Sequence, residues 1–95
     1  MTTRKRRRPP QATPPTPLQL LGATIRQYRH QRGLTQEILA AHTGLSLTYI
    51  SEVERGRRNV SVLALLGIAA VLQVSVATLL QPLETHPERV LPQQE

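Results

Sequence analysis

Apolar residues recur at helical spacing along most of the chain, and capping residues divide the pattern into five segments. Leu18, Leu21, Ile25 and Tyr28 fall three or four residues apart and mark the buried face of a first helix. Thr16 stands before them as N-cap, with Pro17 at the first helical position and Gln19 where a capping box needs an amide. Gly33 ends this helix, because glycine enters the left-handed conformation without a Cβ clash. Thr35 caps a short second helix over about 36–43, and Gly44 supplies the turn after it. Ser46 caps a third helix that runs to about Arg55 and stops at Gly56. Ser61 caps a fourth over about 62–72, and Ser75 precedes a fifth over 76–81. Neither strand alternation nor an internal repeat is present, so the pattern predicts a compact all-α fold of five helices.

Composition sets the limits of that fold. A chain of 95 residues holds one small core. Its apolar content of 39% comes almost wholly from Leu, Val, Ile and Ala, with Tyr28 and Tyr49 as the only aromatics and no cysteine to form a disulfide. Residues 1–16 join a basic run to Pro9, Pro10, Pro14 and Pro15, which predicts a disordered arm. Pro82, Pro87 and Pro92 punctuate a polar segment over 82–95, read as an irregular tail, which leaves 17–81 as the folded domain.

The formal net charge of +6 favours a polyanionic partner, nucleic acid or an acidic membrane surface. Arg4, Lys5, Arg6, Arg7 and Arg8 form one run, while Arg26, Arg29, Arg32, Arg55, Arg57 and Arg58 are spread through the predicted domain. Polar residues and cap signals interrupt the apolar stretch over 60–80, so no membrane span is expected there. No apolar run follows the N-terminal charges, and the expectation is a cytoplasmic protein without a secretory signal. His30, His42 and His86 share no metal-ligand spacing, and no phosphate-binding glycine loop, carboxylate pair or nucleophile constellation is present. Neither a cofactor nor an enzymatic activity is expected.

With Gln36 as the first position of a helix-turn-helix unit, Ala40, Gly44, Ile50 and Val53 fall at positions five, nine, fifteen and eighteen. Ala40 allows two helices to cross closely, Gly44 allows a tight turn, and Ile50 and Val53 pack the second helix against the first, with Leu39 and Leu45 completing the wedge. Through LGATIRQYRHQRGLTQEILAAHTG, LSLTYISEVERGRRN and SVLALLGIAAVLQVSVATLL, the chain resembles the lambda-repressor-like, Cro and Xre-type family over residues 18–80. The stretch TYISEVERGRRNVS is similar to controller proteins of restriction-modification systems. Thr43 departs from the aliphatic residue usual in the family, which implies looser packing behind helix 2.

The resemblance implies a sequence-specific DNA-binding regulator of transcription, whose third helix, about residues 46–54, enters the major groove. Leu47, Thr48 and Glu52 lie at the family's base-reading positions, with Ser46 and Ser51 as secondary contacts. Thr48 can bond several base edges or touch a thymine methyl, Leu47 offers apolar contact, and Glu52 either accepts from a cytosine amino group or stays solvated and repels phosphate. Gln36, Arg57, Arg58 and Asn59 are the candidate phosphate contacts, together with Arg26, aided by open N–H groups at the start of helix 2. Tyr49 either bonds a phosphate or packs on helix 2. The family also pairs residues at Arg29 and Glu54 across helices 1 and 3; the alternative is two unrelated surface charges.

Helix 4 holds more apolar residues than one stripe needs. Val62, Leu65, Ile68, Ala69 and Leu72 are assigned to the core face. Leu63, Gly67, Ala70 and Val71 form a second row, expected to be a homodimer interface or to be covered by Leu83, Val90 and Leu91 of the tail. A dimer would read two half-sites about one turn of DNA apart. The basic arm either follows the DNA backbone or only solubilises the chain. Two other function classes remain at this stage: an antitoxin-like module in which helix 4 and the tail bind a protein partner, and a peripheral membrane binder using the arm.

Overall fold

A computed structural model describes residues 14–84; the basic run Arg4 to Arg8, His86, Val90 and Leu91 lie outside the described residues. Five helices follow in order, α1 (Pro17–Gln31), α2 (Gln36–Thr43), α3 (Leu47–Glu54), α4 (Val62–Leu72) and α5 (Val76–Glu84), and no strand occurs among the described residues. The start signals operate as the sequence predicts. Thr16 and Gln19 close a reciprocal capping box, at 3.1 Å from the Gln19 N–H to Thr16 Oγ1 and 3.0 Å from the Thr16 N–H to Gln19 Oε1. Thr35, Ser46 and Ser61 each accept the N–H three residues on.

The core is a single aliphatic cluster. Leu21 and Ile25 of α1, Leu39 and Ala40 of α2, Ile50 and Val53 of α3, Leu65, Ile68, Ala69 and Leu72 of α4 and Leu79 of α5 are all buried in it. Helix α1 packs on α3, α4 and α5, while α2 packs on α3 and α4, so the pair α2–α3 lies across one side of a bundle organised around α1. Gly44 takes φ 76° and closes α2, giving the left-handed corner that the sequence requires between α2 and α3. Thr43 is accommodated through its hydroxyl, which donates to the carbonyls of Leu39 (2.8 Å) and Ala40 (3.2 Å) and accepts the N–H of Leu45.

Two sequence expectations need correction. Val62, expected on the core face of α4, is 73% exposed, and Ala64 is buried instead. Helical period puts Val62 in line with Ala69, but burial also requires a neighbour opposite the first turn of α4, and none covers Val62. The second correction concerns α5, which continues through Pro82 to Glu84 rather than stopping at Gln81. Val76, Leu79, Leu80 and Leu83 form an i, i+3, i+4, i+7 stripe packed on the core; this packing, mostly against α1, outweighs the lost proline N–H in the last turn.

Candidate nucleic-acid interface

Helix α3 has two sides of opposite character. Ile50, Val53 and Glu54 point inward and are buried, whereas Ser46, Leu47 and Thr48 are exposed and Ser51 and Glu52 half-buried. Leu47 is 42% exposed, an apolar side chain held in solvent at the N-terminal end of the helix. The outward face therefore carries Leu47, Thr48 and, one turn on, Glu52. That set combines apolar contact, a hydroxyl and a carboxylate, which are chemistries suited to base edges in a major groove.

A buried ion pair ties α3 to α1. Arg29 Nε donates to Glu54 Oε2 at 2.6 Å and Arg29 Nη2 to Glu54 Oε1 at 2.9 Å, a two-pronged contact between α1 and α3. Arg29 Nη1 also donates to the Leu34 carbonyl at 2.8 Å, and Gln36 Nε2 donates to Glu54 Oε1 at 2.9 Å. The hydrogen bonds it donates to Glu54 hold the Arg29 guanidinium above its ordinary pKa, against the opposing effect of burial. Gln36 thus ties the start of α2 to the end of α3, while the backbone N–H groups of Gln36 and Glu37 have no acceptor among the described residues, that of Ile38 being taken by Thr35.

A second contact between α1 and α3 was not foreseen from sequence. A Cβ on Gly22 would lie 2.3 Å from the Val53 carbonyl oxygen and 2.6 Å from that of Glu54, so the two backbones meet at this glycine. A glycine inside an apolar helical pattern is a signal for such an approach. Arg32 was likewise unassigned: its Nε donates to the Leu72 carbonyl at 2.6 Å and its Nη2 to that of Gln73 at 3.3 Å, closing the C-terminal end of α4.

Beyond α3 the chain reverses at Gly56 (φ 74°), with the Gly56 N–H on the Val53 carbonyl and the Arg57 N–H on that of Glu52. The reversal brings Arg58 back over α3. Its Nε and Nη2 both donate to Glu52 Oε1, at 3.1 and 2.6 Å, and its guanidinium sits 5.1 Å from the centre of the Tyr49 ring. The Tyr49 hydroxyl accepts the Ser61 N–H at 3.3 Å, leaving its own O–H available as a donor. Arg26, Arg55, Arg57 and Asn59 are exposed, and their side chains make no hydrogen bond or ion pair among the described residues. The loop of Arg57 to Ser61 thus lies against α3 through Glu52 and Tyr49, and Gln36 at the start of α2 meets the end of α3 at Glu54.

The apolar second row of α4 is split. Leu63 is 80% exposed and Ala70 is also exposed, while Gly67 is intermediate and Val71 packs partly on the core. Leu66, absent from the predicted row, is 50% exposed and extends it. No single helix among the described residues is long and apolar enough to cross a membrane.

A right-handed helix pair joined by a left-handed glycine corner, with its second helix polar on the outside, defines a helix-turn-helix unit. Residues 20–81 match the family described as "Helix-turn-helix domain", and the chain belongs to that family. It is 41% identical over 68 residues to an uncharacterized HTH-type transcriptional regulator, y4dJ, of Sinorhizobium fredii, covering 72% of this chain and 88% of that protein. Among solved structures it resembles the restriction-modification controller protein C.AhdI from Aeromonas hydrophila, with a TM-score of 0.64 and 40% identity over 65% of this chain and 94% of that one. It also resembles the master regulator for biofilm formation SinR in complex with DNA, with a TM-score of 0.61 and 41% identity over 63% of this chain and 97% of that one.

Proposed function

We propose that this chain is a sequence-specific, DNA-binding regulator of transcription that places the N-terminal half of α3 in the major groove. The observation that carries the reading is the outward face of α3: Leu47 and Thr48 stand in solvent with no partner among the described residues, and the basic loop of Arg57 to Asn59 turns back against the same helix through Arg58 and Glu52. Thr48 and Leu47 read bases, with Ser46 and Ser51 as secondary contacts. Gln36 and the open N–H groups of α2 hold one phosphate, and Tyr49, Arg57 and Asn59 hold another. Arg26 is a further cationic contact to the backbone. Arg29 and Glu54 touch no DNA and set the angle of α3.

The likeness to C.AhdI supports the narrower reading of a controller of the restriction-modification type, acting in the cytoplasm as a binding protein and not as an enzyme. The exposed apolar face of α4, with Leu63, Leu66, Gly67 and Ala70 and bordered by Val71, supports a homodimer that reads two half-sites.

Selection of bound duplexes from a random pool at near-physiological salt tests the reading. A defined motif should emerge. Thr48→Ala should change the preference at one base pair by about 1–3 kcal/mol, whereas Arg57→Ala should weaken every duplex alike and reduce the salt slope by about one. Equal losses on all duplexes for both variants, or no enriched motif, would refute it.

A further inference from the structure

The sequence assigns Glu52 to base reading and Arg58 to the DNA backbone as if the two acted separately, but the structure joins them. We propose that Arg58 is a positioning residue for Glu52, and that Arg58, Tyr49 and Glu52 form one reading unit whose free carboxylate oxygen accepts from a cytosine amino group. The proposal rests on the reading of α3 as the base-contacting helix and assigns how one of its positions discriminates.

Three observations support it. Both donors of Arg58 that contact Glu52 go to the same oxygen, Oε1, at 3.1 and 2.6 Å, so Oε2 has no hydrogen bond among the described residues. Glu52 lies one helical turn from the exposed Thr48, on the same face, and is itself half-buried, so its carboxylate borders the surface that meets base edges. The guanidinium is fixed from below as well, 5.1 Å from the Tyr49 ring centre, and the Tyr49 hydroxyl is tied to the Ser61 N–H.

The electrostatics explain why the unit needs Arg58. A lone carboxylate on a DNA-facing helix is repelled by every nearby phosphate, whatever the sequence, and its flexible side chain does not hold one acceptor geometry. An Arg58 pair on Oε1 partly offsets that charge and restricts the side chain, while Oε2 remains an acceptor for an exocyclic amino group. The Gly56 reversal makes the arrangement possible, since it returns the chain from the end of α3 and sets a residue six positions on against Glu52.

Fluorescence anisotropy with the full chain, on the duplex recovered by selection and on its single base-pair variants at several salt concentrations, tests the proposal. Wild type should discriminate by about tenfold or more at the base pair whose preference Glu52→Gln removes. Arg58→Ala and Arg58→Lys should each lose most of that discrimination, keep the discrimination that depends on Thr48, and melt at the wild-type temperature. Arg58→Lys keeps the charge and hence the salt slope, so its loss of discrimination separates fork geometry from simple attraction. In the Glu52→Gln background, Arg58→Ala should cause no further loss of discrimination. Uniform weakening of all duplexes by Arg58→Ala with a salt slope lower by about one, or full discrimination by Arg58→Lys, would show that a phosphate takes Arg58 away from Glu52 and would overturn the proposal alone. Absence of any preferred duplex for wild type would overturn the base-reading function and this inference together.

Discussion

Two glycines sit inside helices, and the same substitution at each should change stability in opposite directions. On helix propensity alone, Gly22→Ala in α1 and Gly67→Ala in α4 each gain about 0.5–1 kcal/mol, because alanine loses less backbone entropy on folding. At Gly67 nothing lies within 4 Å of an added Cβ, so that gain should be realised. At Gly22 the added Cβ would stand 2.3 Å from the Val53 oxygen, 2.6 Å from the Glu54 oxygen and 2.8 Å from the Glu54 carbonyl carbon. The first of these is about 1 Å short of an ordinary contact, and all three atoms are backbone, so relief requires α3 to move away from α1. Overpacking of this kind costs about 1–3 kcal/mol and outweighs the propensity gain. It also strains the Arg29–Glu54 pair, which spans the same two helices. Urea unfolding followed by circular dichroism should therefore show Gly22→Ala less stable than wild type and Gly67→Ala more stable. A Gly22→Ala protein of wild-type or higher stability would show that α1 and α3 do not meet at this glycine. A Gly67→Ala protein destabilised only at concentrations where the chain dimerises would place that glycine in the interface.

Other substitutions check the remaining contacts. Arg29→Ala leaves Glu54 charged and buried and should cost about 3–5 kcal/mol, most of the stability of a domain this small; a urea midpoint close to wild type would contradict the pair's role. Because the Arg29 pKa is raised in the folded state, the stability it confers is complete below the unfolded value and fades only as pH rises through the folded one, so no alkaline transition below about pH 12 should trace to this arginine. Gln73 ends α4 at φ 60°, the only non-glycine residue with positive φ among the described residues, and Gln73→Gly should raise stability by about 0.5–1 kcal/mol in thermal melts. Leu63→Ser with Leu66→Ser should leave the melting temperature of the isolated domain nearly unchanged while shifting sedimentation from dimer to monomer; an unaltered dimer would locate the interface elsewhere.

What the sequence by itself determined are features that act within a few residues of one another. Caps at Thr16, Thr35, Ser46 and Ser61, the left-handed turns at Gly33, Gly44 and Gly56, and the periodic apolar stripes each depend on local backbone sterics or on one helix face, so five helices and the corner at Gly44 were legible without coordinates. Tertiary structure alone decided the rest. Gly22 and Gly67 give the same signal in sequence, yet only Gly22 meets another helix; Val62 keeps the period of the core face without a neighbour to cover it; and the packing of Leu79, Leu80 and Leu83 carries α5 past a proline that reads as a stop. Arg32 reaches carbonyls forty residues away, and Glu52 and Arg58 meet only because the chain turns back at Gly56. Such contacts depend on where whole helices are placed, and that placement is set by the summed packing of the core rather than by any one residue's own preference.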